Sequence, residues 1–253
     1  MTVVLGFDTA THATVVGLRL AADETLQARD DPAAHGHPGH ATRLLAMAED
    51  LLAQAKLRWS AVERIAVGVG PGRFTGLRVG LATARGLAQS LDAELVGVST
   101  LRALALGARR SPSAGGADRA TIAVVDARRG EVFAAAYPGG DADEIAFEHA
   151  LSPSELERVV DEVERRGGPA GERWQAVGDG ALAYQSELRA AGAIVPPADS
   201  PLHLLDAAAL CDLGAEAAAA SALEALLPDY RRAPDAALVR GRALNAAARG
   251  VNA

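Results

Sequence analysis

Two β-branched apolar runs, residues 2–8 and 14–20, flank a short Thr/Ala/His turn, and this pattern predicts an antiparallel hairpin. Residues 26–30 extend it by a third strand. The stretch 31–39 holds Pro32, Gly36, Pro38 and Gly39 and predicts a loop. From His40 the period becomes helical. At 100° per residue Leu44, Leu45, Met47, Ala48, Leu51, Leu52 and Ala55 fill an apolar arc of about 160°, wider than the roughly 100° stripe one core face needs. The excess predicts apolar surface left over for a second polypeptide.

Ser60 and Glu63 fit a capping box, and the almost continuous apolar run 64–69 reads as a strand buried on both faces. A glycine-rich turn, 70–76, leads into a helix over about 75–90. That helix is small or apolar nearly all round except for a stripe of Arg78, Arg85 and Gln89, so it is expected to be covered on most sides. Its row of Gly76, Gly80, Ala84 and Ala88 lets another backbone come close. A strand at 94–98 and a helix at 99–108 follow. Residues 109–118, rich in Ser, Pro, Gly and Ala, form the clearest linker.

Beyond the linker the opening order returns: strand 121–126, turn 127–130, strand 131–137. Aligning Phe7-Asp8-Thr9 with Val125-Asp126-Ala127 superposes the two hairpins, so the chain reads as two halves on one plan, 1–108 and 119–236. Ser152-Pro153-Ser154-Glu155 combines a capping box with proline at the first helical position, and its helix is expected to reach about Arg166. A strand at 174–177 and helices near 181–191, 204–213 and 215–227 complete the second half. Residues 237–253 carry little that could anchor them and are expected to fray.

At 253 residues the chain is long enough for one to two domains and a core that needs no disulfide. Its apolar runs are broken by charge well short of a membrane span. The start MTVVLGFDTA lacks a basic n-region, and Cys211 is the lone cysteine, so the expectation is a cytoplasmic protein. Net charge is −7, which gives no global field toward phosphate backbones. Any RNA it serves is expected to be held by something else.

Candidate chemistry is sparse. His35, His37 and His40 are metal bait, yet they sit in or beside a Pro/Gly loop without partners at ligand spacing, and no metal site is expected. Asp8 and Asp126 each end a strand at a hairpin, where a phosphate cradle would need glycine in the turn. The first turn, Thr9-Ala10-Thr11-His12-Ala13, has none, which favours aspartates that cap turns over aspartates that meet a nucleotide. The stretch from Gly68 to Arg78 lies between strand and helix but fits neither the Walker nor the dinucleotide pattern, and Pro71 removes an N–H. An anion site or a close-packed turn are both open here. No G-x-S-x-G occurs, and Cys211 reads as a small core residue.

At Gly70-Pro71-Gly72-Arg73-Phe74-Thr75-Gly76-Leu77-Arg78 the chain resembles the TsaB (YeaZ-type) family, which serves the making of threonylcarbamoyladenosine in tRNA. Asp8-Thr9-Ala10-Thr11, the positions His40, Leu44 and Leu45, Val98-Ser99-Thr100-Leu101, the run from Asp126 to Val132, and Pro228-Asp229-Tyr230-Arg231-Arg232 agree with it. Arg73, Thr42 and Arg231 depart from the family's usual serine, glutamate and leucine.

The resemblance implies an α/β, two-domain actin-like or heat-shock-ATPase-like (ribonuclease H-like) fold, each half a mixed sheet flanked by helices. It also implies a non-catalytic scaffold that binds the TsaD transferase through N-terminal helices and helps recruit the TsaE ATPase. No cofactor is expected and tRNA is met only indirectly; the same apolar surface leaves a homodimer possible when the partner is absent. The partner surface is expected from His40, Leu44, Met47 and Leu51 with Phe74, Thr75, Leu77, Arg78, Leu81 and Arg85. A degenerate nucleotide site would comprise Asp8, Thr9, Gly70, Gly72 and Asp126. The rival class is an actin-like phosphotransferase or ATPase using Asp8 and Asp126.

Overall fold

Strict alternation of side chains builds the first sheet and gives it two different faces. β1 (Val4–Asp8), β2 (Thr14–Ala21), β3 (Glu24–Asp30), β4 (Arg64–Gly70) and β5 (Glu94–Ser99) lie in the order β3-β2-β1-β4-β5. The hairpins β1–β2 and β2–β3 are antiparallel, and β4 and β5 continue parallel to β1. Leu5, Phe7, Val16, Leu18, Ile65 and Val67 point to one side, where α1 (His40–Gln54) and α2 (Phe74–Leu91) cover them. Val4, Val15 and Ala66 point to the other. The computed structural model describes residues 2–32, 38–111, 120–138, 145–147, 149–165 and 174–231.

The second sheet repeats the plan. β6 (Thr121–Arg128) and β7 (Glu131–Tyr137) form an antiparallel hairpin, β8 (Ile145–Ala146) extends it, and β9 (Gln175–Val177) adds parallel to β6, giving the order β8-β7-β6-β9. Ile122, Val124, Val132 and Ala134 pack on α4 (Leu156–Arg165), α5 (Asp179–Ala183) and α6 (Gln185–Ala190), while Ala123, Val125, Phe133 and Ala135 face inward. The capping box ahead of α4 forms as expected: the Ser152 N–H donates to Glu155 Oε2 at 2.8 Å. Among the described residues, this is the two-half actin-like arrangement with a mixed sheet in each half.

Between the inward faces lies one shared layer, α3 (Thr100–Arg110) and α7 (Ala207–Glu216), whose Leu101, Leu104, Ala105 and Leu210 join residues of both sheets in a single core. α7 reaches the first sheet because glycine leaves it room. A Cβ on Gly6 or Gly17 would stand 2.6 or 2.9 Å from Cys211 Sγ. The segment expected to belong to the second half, 119–236, thus ends by covering the first. The expected fraying of 237–253 lies outside the described residues.

The helix expected at 215–227 is not formed. α7 stops at Glu216 because the Arg64 guanidinium collects the carbonyls of Gly214, Ala215 and Ala217 at 3.0, 2.8 and 3.2 Å. The chain then runs as a strap along the outer edge of β5, where the Ala220 N–H donates to Leu95 O at 2.8 Å. Alanine's helix propensity is worth a few tenths of a kcal/mol per residue, less than these contacts. The capping box expected at Ser60 is also replaced: residues 59–61 make a 3₁₀ turn, and Glu63 accepts from the Val3 N–H at 3.1 Å instead.

Candidate functional site

The first hairpin turn and the glycine turn between β4 and α2 pack directly against each other. Asp8 is buried, and both of its carboxylate oxygens are taken. Oδ1 accepts from the Ala10 N–H at 2.7 Å and Oδ2 from the Thr100 hydroxyl at 2.6 Å. Burial raises its pKa above the usual carboxylate range, against the lowering effect of those two hydrogen bonds. A Cβ on Gly68 would overlap Asp8 Oδ2 at 1.8 Å, so the carboxylate rests on β4 itself. Thr9 is buried too, its hydroxyl donating to Gly76 O at 2.7 Å.

The glycine turn closes over this hairpin. Gly70 needs its positive φ of 104°, and the peptide to Pro71 is cis. A Cβ on Gly72 would meet Ala10 O at 2.5 Å, one on Gly76 would meet Thr9 O at 1.9 Å, and the Arg73 N–H donates to Ala10 O at 2.7 Å. Of the small-residue row, Gly76 meets the Thr9 backbone, whereas a Cβ on Gly80 would meet the Thr9 side-chain hydroxyl at 2.4 Å, so the backbone approach is confined to one end of the row. The groups that face the glycine turn here are carbonyl oxygens, which repel anions, whereas a phosphate cradle presents N–H groups.

Asp126 is the counterpart of Asp8. Its Oδ1 accepts from the Arg128 N–H at 2.8 Å, the same aspartate-to-residue-plus-two turn bond that Asp8 makes, and its Oδ2 lies 3.3 Å from the Arg128 guanidinium. Between the two hairpins is a cleft of about 180 Å³ lined by His12, Asp179 and Leu205 among others. Ligand pockets run about 300–1,000 Å³. None of Asp8, Thr9, Gly70, Gly72 and Asp126 lines this cleft, and with Asp8 buried and both its oxygens taken the residues present do not fit a magnesium nucleotide.

The expected partner residues divide by exposure. Leu44 (1%), Met47 (5%), Leu51 (1%), Leu77 (1%) and Leu81 (4%) are buried in this chain's own core. The broad arc of α1 is absorbed because the helix lies on β2 and β3 and also against α2, so two neighbours use it rather than one. His40 is buried, its Nδ1 paired with the Thr14 hydroxyl at 2.9 Å; burial first, then the nearby Arg73 charge, lowers its pKa. His35 and His37 lie outside the described residues, and among those described no group of three metal-ligating side chains forms.

Arg85 does not face outward either. Its guanidinium holds the strap through Leu223 O and Leu226 O at 3.0 and 2.7 Å. Exposed are Leu45 (46%) on α1 and Phe74 (37%), Thr75 and Arg78 at the start of α2. Tyr230, which the sequence flagged only as part of a C-terminal signature, joins them, its ring centroid 5.3 Å from that of Phe74. No helix among the described residues is long and apolar enough to cross a membrane.

A family model described as "TsaD: tRNA N6-adenosine threonylcarbamoyltransferase" matches residues 35–238. The tRNA threonylcarbamoyladenosine biosynthesis protein TsaB of Escherichia coli is 32% identical over 79% of this chain and 84% of its own length. That of Haemophilus influenzae is 35% identical over 51% of each. Among solved structures, a Pseudomonas aeruginosa protein described as having similarity to peptidase YeaZ superposes with a TM-score of 0.70 at 29% identity, covering 92% of this chain and all of the other. YeaZ from the same organism gives 0.63 at 30%, covering 85% and 91%. The sequence motifs, the duplicated fold and these relatives agree: the chain belongs to the TsaB family of tRNA threonylcarbamoyladenosine biosynthesis proteins.

Proposed function

We propose that this chain is a non-catalytic subunit of tRNA threonylcarbamoyladenosine synthesis, which docks a TsaD-type transferase and helps bring in a TsaE-type ATPase. The observation that carries the reading is the closely packed first turn. Asp8 is buried with both oxygens satisfied, and the Thr9 and Ala10 carbonyls lie directly against the glycine turn. A chain that keeps the actin-like frame but closes its first turn in this way retains the frame for another use, and the exposed ends of α1 and α2 offer a protein surface. The transferase then supplies the catalytic groups and the contact with the adenosine beside the anticodon.

A reconstituted modification reaction tests this. Omitting the chain abolishes product, and the isolated chain shows no heat of binding with magnesium ATP in calorimetric titration. Micromolar nucleotide binding with turnover by the chain alone would establish the rival phosphotransferase reading instead.

A further inference from the structure

Nothing in the local sequence tells α7 to stop at Glu216. From Ala215 to Leu227 the chain has neither glycine nor proline, and residues 217–222 read Ala-Ala-Ala-Ala-Ser-Ala, a run that favours helix. The stop is imposed from the first sheet. Arg64 Nη1 donates to the carbonyls of Gly214, Ala215 and Ala217, and Ala217 turns to extended backbone at φ −71°, ψ 153°. In a continued helix those three oxygens would accept from the amides of Ala218, Ala219 and Ser221 instead. Because Ala217 is extended in one case and helical in the other, the chain can satisfy them in only one way at a time.

The two arrangements also differ in reach. Extended, residues 217–222 span at most about 20 Å; wound into helix they span about 9 Å. A helix continued to Ala222 therefore cannot keep the strap in place along β5, the outermost strand of its sheet. It breaks the bond from the Ala220 N–H to Leu95 O, and it draws Leu223 and Leu226 away from the Arg85 guanidinium and from Gly97. The strap's first stretch is lightly held, with Ala218, Ala219, Ser221 and Ala222 all exposed. The helix has its own limit at Leu223, which stands about 180° round the wheel from the buried Gly214 and would turn to solvent.

We propose that residues 217–222 are a two-state element. In the strap form α7 ends at Glu216 and the edge of β5 is covered. In the helical form α7 runs on for about one and a half more turns and the strap is drawn off, baring the main-chain groups of β5. Arg64 is the latch, and Glu94, which accepts from Arg64 Nε at 2.7 Å, is the residue that positions it. The strap form is the ground state, since its hydrogen bonds outweigh the helix preference of alanine. Whatever binds one form better moves the balance. The device stands apart from the scaffold reading and does not depend on it.

Nuclear magnetic resonance on the isotope-labelled full-length chain, well below its melting temperature, tests this through the Cα shifts of residues 217–222 and the exchange of the Ala220 amide. Arg64→Ala should move those shifts to helical values and speed Ala220 exchange about tenfold or more. Glu94→Gln should act in the same direction with a smaller effect. Ala218→Pro separates helix formation from simple fraying: Ala217 already has the extended backbone favoured before a proline, and a proline at 218 bars the helix. It should slow Ala220 exchange by itself and keep residues 217–222 from helical shifts when combined with Arg64→Ala. Shifts in Arg64→Ala that stay extended or move to coil values would overturn the two-state element. So would an Ala220 amide whose exchange Ala218→Pro leaves unchanged, a comparison that decides the matter even where Arg64→Ala does not fold.

Discussion

Gly76 and Gly86 share one helix, and alanine at the two positions should move stability in opposite directions. A Cβ at Gly76 would stand 1.9 Å from Thr9 O, against 3.4 Å for ordinary contact, so α2 or the hairpin must shift by about 1.5 Å. Overpacking of this kind costs about 1–3 kcal/mol. Losing the buried bond from the Thr9 hydroxyl to Gly76 O adds about 1–3 kcal/mol. The better helix propensity of alanine returns about 1 kcal/mol, leaving a net loss of about 1–5 kcal/mol. For a chain of this size that lowers Tm by roughly 3–15 °C. At Gly86 a Cβ meets nothing within 4 Å, and the same substitution should stabilise by about 0.5–1 kcal/mol. Urea and thermal unfolding followed by circular dichroism compare the pair. A Gly76→Ala chain as stable as wild type, or two changes of the same sign, would refute the packed-turn argument.

Asp8→Asn should raise Tm near neutral pH and lose its advantage in acid. The folded-state pKa of Asp8 is raised above 3.8, so its favourable contribution is fully present below that value and disappears as pH rises through the folded pKa; melting curves from pH 3 to 8 check the trend. The Cys211 thiol, buried and pushed up to about 12, should resist a thiol-reactive dye at pH 8 in the native protein and react fully once urea unfolds it. Arg64→Ala frees three carbonyls at the end of α7 and should cost about 2–3 kcal/mol, read from urea midpoints, with Arg64→Lys recovering only part of it.

Much of the frame could be read from the chain alone, because each half announces itself locally. Both hairpins alternate cleanly, both carry an aspartate that caps its own turn, and of the small-residue row Gly76 does meet a close backbone neighbour. What failed was non-local. A helical wheel gives the width of the apolar arc on α1 but not the number of neighbours that share it, so Leu44, Met47 and Leu51 read as surplus when the sheet and α2 bury them. The alanine-rich segment after α7 has helix propensity, but the guanidiniums of Arg64 and Arg85 claim its carbonyls, and no periodicity within the segment encodes that. Arg85 looked like an outward charge for the same reason.

The shared middle layer also dictates when the molecule can mature during synthesis. The inward face of β1, β2 and β4, with Gly6, Gly17 and Ala66, is covered only in part by α3 and is completed when α7 arrives, about 200 residues after Gly6 and about 150 after Ala66. A nascent chain leaving the ribosome therefore exposes an unfinished amino-terminal unit through most of its translation. Chaperone demand should fall only once the carboxy-terminal portion has cleared the exit tunnel.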